Sequence, residues 1–290
     1  MKKFTGIYPA LLTPFDKNGQ INRGVLRELV EMNIQKGVSG FYVCGSTAEA
    51  FLLSSEQRKE ILETVAAQNN GRVQLLAHVG HIDTLTAIDL ARHAAALGVD
   101  AVSAVAPFYY HFTFEEIKRY YFDIADAVDR PMIVYNFPAF SGVNLSEDNL
   151  AEFFADARFA ALKHTSSDFF LLERMSRRFP DRSFLNGYDE MFLSGLAAGA
   201  DGAVGSTYNF MAEKFIRIHE LFQQNRMAEA LEEQRRANNI LSALRRVGLM
   251  AGEKAILCGL GLDFGTARRP FHTLTQEQTD LLMRVYRENT

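Results

Sequence analysis

From Gly6 to Gly205 the chain repeats one pattern without a break: a short apolar run, then an amphipathic helical period. The first run, Ile7-Tyr-Pro-Ala-Leu-Leu-Thr13, is closed by Pro14 and the turn Asp16-Lys-Asn-Gly19, as a buried strand is closed by its loop. Asn22 then caps a helix whose apolar face is Val25, Leu26, Leu29, Val30 and Ile34, ended by Gly37. Further strands are expected at 40–44, 73–79, 100–106, 132–135, 159–163, 183–186 and 202–205. Helices are expected between them at 54–68, 84–97, 113–128, 146–155, 168–178 and 190–198.

Counting the first, this makes eight strands. Strict alternation implies parallel strands with right-handed crossovers, because a parallel neighbour needs a long connection. The strands are apolar throughout instead of alternating, so both faces are buried. Eight such units in about 210 residues fit a closed (β/α)8 TIM barrel, an α/β fold, better than an open doubly wound sheet. After Ser206 the pattern is helix only, at 212–223, 227–246, 253–260 and 276–288. One of these helices closes the barrel. The expected division is a barrel over 1–224 and a C-terminal helical extension over 225–290, which either covers the barrel or mediates assembly.

Composition removes several classes of function. The net charge is −4 with no basic block, so neither a nucleic-acid footprint nor a polybasic membrane patch is present. No apolar run approaches the roughly 20 residues that span a bilayer. The two cysteines, Cys44 and Cys258, lie far apart on apolar stretches, and Met1-Lys-Lys-Phe-Thr leads straight into a strand. Both features point to a reduced, cytoplasmic protein. The seven histidines are scattered, without zinc spacing.

In such a barrel the reactive groups sit at the C-terminal ends of the strands. Those ends read Thr13-Pro14-Phe15, Gly45-Ser46-Thr47-Ala48-Glu49, His78-Val79-Gly80, Pro107-Phe108-Tyr109-Tyr110, Tyr135-Asn136-Phe137-Pro138, Lys163-His164-Thr165-Ser166, Asn186-Gly187-Tyr188-Asp189-Glu190 and Gly205-Ser206-Thr207. Lys163 ends the apolar run Phe159-Ala-Ala-Leu-Lys163. It either caps an exposed strand end or is desolvated and neutral, in which case it can attack a ketone and form a Schiff base. Tyr135 ends the preceding strand. Neighbouring strands lie about 4.8 Å apart, so its hydroxyl is placed to move a proton at a Lys163 adduct. Ser46 and Thr47 offer hydroxyls and backbone N–H groups to a carboxylate, or form an ordinary capped turn. Asp189 and Glu190 either accept hydrogen bonds from a polyol or favour the first turn of a helix.

The chain resembles the pyruvate-dependent class I aldolases of the dihydrodipicolinate synthase/N-acetylneuraminate lyase family over nearly all of 6–272. The resemblance is carried by Gly45-Ser46-Thr47-x-Glu49, Tyr135-Asn136-x-Pro138 and Lys163, and within the family the lyase branch is matched by Ala104-Val-Ala-Pro-Phe-Tyr109-Tyr110, Leu162-Lys163-x-Thr165-Ser166, Asn186-Gly187-Tyr188-Asp189-Glu190 and Gly205-Ser206-Thr207-Tyr208-Asn209. The resemblance implies that Lys163 forms the imine, that Tyr135 shuttles the proton, and that Ser46 and Thr47 hold the pyruvyl carboxylate. It implies that Thr165, Gly187, Asp189, Glu190 and Ser206 bind the sugar-acid chain, with Gly205 as a backbone contact. Tyr109 is implied to reach the site of a neighbouring subunit in a homotetramer. Small molecules, sialic acid and pyruvate, are the implied partners, and no metal or organic cofactor is required. The synthase branch carries an arginine at position 140 to grip a second carboxylate; Phe140 cannot do so and fits a neutral sugar aldehyde. Two positions depart from the pattern: Ala48 replaces a loop glycine, and Met250 stands where the lyase branch often has an aromatic residue. The rival readings are a 2-keto-3-deoxy sugar acid aldolase or dehydratase with the same imine, and a non-catalytic keto-acid binder.

Overall fold

The computed structural model describes residues 4–290. Its strands are β1 (Gly6–Pro9), β2 (Gly40–Val43), β3 (Gln74–His78), β4 (Ala101–Val105), β5 (Met132–Asn136), β6 (Phe159–His164), β7 (Ser183–Asn186) and β8 (Gly202–Gly205). All pair in parallel, in the order β1-β8-β7-β6-β5-β4-β3-β2. The parallel bridge Ala10↔Tyr42 joins β1 to β2, so the sheet closes on itself as the expected (β/α)8 barrel. The helices that alternate with these strands are α1 (Arg23–Gln35), α2 (Ser55–Asn69), α3 (Thr84–Ala96), α4 (Phe114–Asp126), α5 (Pro138–Ser141), α6 (Glu147–Phe154), α7 (Phe169–Arg178) and α8 (Phe192–Ala197). Then follow α9 (Tyr208–Gln223), α10 (Met227–Val247), α11 (Leu249–Gly259) and α12 (Gln276–Asn289).

The continuous apolarity of the strands has the expected cause. One core lies between the sheet and its helices; a second fills the barrel and includes Tyr8, Tyr42, Leu76, Ile133, Tyr135, Leu185 and Val204. Asn22 caps its helix as expected, Oδ1 accepting from Val25 N–H, and Ser54, Thr113, Ser146 and Thr275 form capping boxes.

Most bounds fall within one or two residues of expectation, and four elements differ in a way that has a structural consequence. β1 ends at Pro9, not Thr13, because the Asn209 side chain takes over from the ladder, its amide donating to Ala10 O and its Oδ1 accepting from Leu12 N–H. The helix expected at 212 begins at Tyr208 and is kinked at Met211 (φ −135°, ψ 38°). The helix expected at 253 begins at Leu249. A turn of 3-10 helix, Asp189–Met191, precedes α8 where one helix was expected.

The C-terminal helices are closely tied to the barrel. α10 packs on α9 and α12. Gln234 of α10 accepts from Leu193 N–H and donates to Asp189 O, and Asn238 donates to Glu190 O. From α11, Lys254 Nζ meets Glu49 Oε1 at 2.5 Å, with both side chains buried. The extension therefore covers the mouth of the barrel. Among the described residues no helix is long and apolar enough to cross a membrane.

Candidate active site

The register of β5 on β6 sets Tyr135 directly beside Lys163. The Lys163 amine lies 3.9 Å from the ring centroid of Tyr135 and 3.9 Å from that of Tyr42. Lys163 is 4% exposed. Burial pulls its pKa from the usual lysine range down to about 7, against the opposing charge of Asp189. The exposed strand end, the alternative left open by the sequence, is thereby excluded. Two electron-rich ring faces favour a cation, but they do not offset the lost hydration.

Tyr135 is also buried. Burial raises its pKa well above the ordinary phenol value, with the hydroxyls of Thr165 and Ser46 pulling the other way. A phenol of this kind keeps its proton at neutral pH. Ser46 lies in a short 3-10 turn, Ser46–Ala48, at the end of β2. The left-handed residues after β2 are Cys44 (φ 61°) and Glu49 (φ 60°), so Ala48, in the position of a family glycine, needs no positive φ. Glu49 is held in that conformation by Lys254 and by Arg268 N–H, 2.6 Å from its Oε2.

Ser46, Thr47, Tyr135, Lys163, Thr165, Gly187, Asp189, Glu190 and Ser206 line one cavity of about 450 Å³. Phe140 and Met250 line it too, and Phe140 packs on Phe137 with ring centroids 4.3 Å apart. Asp189 accepts from Thr207 N–H (2.9 Å) and Thr207 Oγ1 (2.6 Å). Burial raises its pKa to about 7; the Thr207 hydrogen bonds oppose this, Glu190 reinforces it and Lys163 opposes it. Glu190 pairs with Arg245 of α10. Gly187 is required by close approach: a Cβ there would lie 1.8 Å from Thr165 Oγ1.

Two expected site residues are not among those lining this cavity. Gly205 is not in the cavity wall; a Cβ there would stand 2.0 Å from Asp189 Oδ1 and 2.4 Å from the Tyr208 ring, so its bareness makes room for those side chains. Tyr109 is 81% exposed, at φ 79°, and does not reach the cavity of its own chain.

Three contributors were not foreseen in the sequence: Tyr42 beneath the lysine, Arg245 in the cavity wall, and Glu253 of α11. Glu253 is fully buried, and its Oε1 accepts from Ser206 Oγ at 2.5 Å. Tyr42 was legible in principle as an inward residue of a barrel strand. Arg245 and Glu253 belong to helices whose facing partners the sequence does not identify.

The model of the dihydrodipicolinate synthetase family matches residues 3–288. The chain is 45% identical over 280 residues to a curated protein of Rhizobium meliloti (strain 1021) named N-acetylneuraminate lyase, covering 96% of this chain and 92% of that one. It is similar to the solved structure of CdNal from Clostridium difficile in complex with mannosamine (TM-score 0.97, 39% identity, 100% of each chain). It is also similar to the N-acetylneuraminate lyase of Fusobacterium nucleatum complexed with pyruvate (TM-score 0.93, 37% identity, 98% of this chain and 96% of that chain).

Proposed function

The chain belongs to the dihydrodipicolinate synthetase family, and from that premise we propose that it is a lyase that reversibly cleaves N-acetylneuraminate to pyruvate and N-acetylmannosamine. The observation that carries the chemistry is the pairing of Lys163, its amine pKa drawn down to about 7, with Tyr135 on the adjacent strand. The names of its relatives, with pyruvate and mannosamine in two of the solved complexes, support the choice of substrate.

Neutral Lys163 attacks C2 of the open-chain keto acid, and loss of water leaves a protonated imine. Ser46 and Thr47 hold the carboxylate. Tyr135 receives the C4 hydroxyl proton as the C3–C4 bond breaks and its electrons pass into the imine. Because the phenol is itself protonated, it hands its own proton on as it receives one, with the substrate carboxylate beside it as the relay partner. The enamine is protonated at C3, and hydrolysis releases pyruvate and the free amine. Thr165, Gly187, Asp189, Glu190 and Ser206 bind the hydroxylated chain, and the uncharged side chain of Phe140 supports a neutral aldehyde product.

The decisive comparison is pyruvate release from N-acetylneuraminate against release from 2-keto-3-deoxygluconate. Cleavage of the former is expected; cleavage of the latter alone would overturn the substrate assignment. We place Tyr109 in the site of a neighbouring copy within a homotetramer, a reading supported by its exposure beside Tyr110, 65% exposed. Light scattering should give four chain masses, and a fully active monomer would contradict it. Free Cys44 and Cys258 are compatible with the reducing cytoplasm, where we place the enzyme.

A further inference from the structure

Glu253 is anomalous. It is 0% exposed and has one oxygen, Oε2, without a hydrogen-bond partner among the described residues. Such a group costs stability, and a leucine of similar volume would be better tolerated by the fold. Its other oxygen, Oε1, lies 2.5 Å from Ser206 Oγ. Ser206 faces the cavity, whereas Glu253 does not line it. The acid therefore stands behind the serine.

The next residue is held in the same way. Asp189, from the turn after β7, grips the backbone and hydroxyl of Thr207. Two buried carboxyl groups, one from the barrel and one from the C-terminal extension, thus fix consecutive residues at the end of β8. Burial lifts the Glu253 pKa to about 8, Ser206 opposing and Asp189 reinforcing. The acid can therefore sit beside Asp189 without two full charges in contact.

We propose that Glu253 is a positioning residue which, through its hydrogen bond to Ser206 Oγ, fixes that hydroxyl for the hydroxylated chain of the sugar acid. The inference rests on the lyase reading above. A freely rotating serine hydroxyl in a cavity wall adds little selectivity. One that is already committed on its far side presents a single defined face to a substrate hydroxyl. Since Ser206 meets the sugar chain and not the pyruvyl group, Glu253 governs chain binding and leaves imine formation alone.

The test is a double-mutant cycle of Glu253→Leu and Ser206→Ala on the full-length enzyme, reading KM and kcat with N-acetylneuraminate and the extent of borohydride trapping with pyruvate. E253L should raise KM about tenfold, the loss of one binding hydrogen bond, with kcat within about twofold. Pyruvate trapping should be undiminished. The KM penalty of E253L should disappear in the S206A background, and Glu253→Gln, which retains a hydrogen-bonding head, should recover most of it. E253A serves in the same cycle if E253L does not fold. An unchanged KM, or a penalty that persists without Ser206, would overturn the proposal, as would a purely thermal effect. Failure of the wild-type enzyme to trap pyruvate would instead strike the lyase reading, so the two failures are distinguishable.

Discussion

An exposed lysine holds its proton to about pH 10.4, and at neutral pH almost none of it is nucleophilic. Lys163 escapes this because burial among Tyr42, Tyr135 and the barrel interior outweighs the attraction of Asp189, leaving its pKa at about 7. The sign follows directly: the attacking form is the neutral amine, so imine formation with pyruvate should rise as pH increases through about 7 and then level. Stopped-flow or rapid-quench reduction measures it, and a rate still climbing through pH 9 to 10 would show an ordinary lysine. At this scale the sequence was partly legible. A single lysine ending an apolar run marked Lys163, and the tyrosine ending the preceding run marked Tyr135, because period-two geometry and strand spacing place both side chains. It could not show that Tyr42 lies beneath the amine, since nothing in a strand pattern says which inward rings meet.

The elements were read from their periods, and the strand runs fell close to their observed bounds. They failed where side chains replace the backbone pattern. Past Pro9 the first strand leaves the ladder because Asn209 takes the bonds of Ala10 O and Leu12 N–H, and α9 carries a kink at Met211 that an apolar period does not reveal. The most consequential element is α11, which read as one more helix of an appendage but supplies Glu253 behind Ser206 and Lys254 to Glu49. The second contact anchors the loop that carries Ser46 and Thr47. Glu49 is left-handed at φ 60°, an uncommon state for a residue with a side chain, and Lys254 and Arg268 N–H secure it. Replacing Lys254 by Met leaves a buried carboxylate without its cation. The expected loss in unfolding free energy is about 3–5 kcal/mol, read by denaturant titration, with weaker pyruvate binding in whatever remains folded. A change below 1 kcal/mol would mean that the loop is held by other contacts.

At the scale of the molecule, the barrel and its helical extension form one functional unit. The expected division near residue 224 separates two patterns of sequence, yet Gln234, Asn238, Arg245 and Glu253 from beyond it all hold the segments after β7 and β8. Sequence periodicity reports which face of each helix is apolar; it does not report where that face lands, which is why the barrel was legible and its cover was not. What the whole assembly accomplishes is to bring the Lys163 amine, the Tyr135 phenol, a set of hydroxyls and two acidic side chains into a shared cavity from the ends of β2, β5, β6, β7 and β8. The claim at the centre is that this enclosure makes Lys163 the nucleophile. Borohydride reduction in the presence of pyruvate, followed by peptide mass mapping, tests it most directly. A single pyruvyl adduct is expected on the peptide carrying Lys163 and none in Lys163→Met; an adduct elsewhere, or no adduct at all, would rule Lys163 out as the nucleophile.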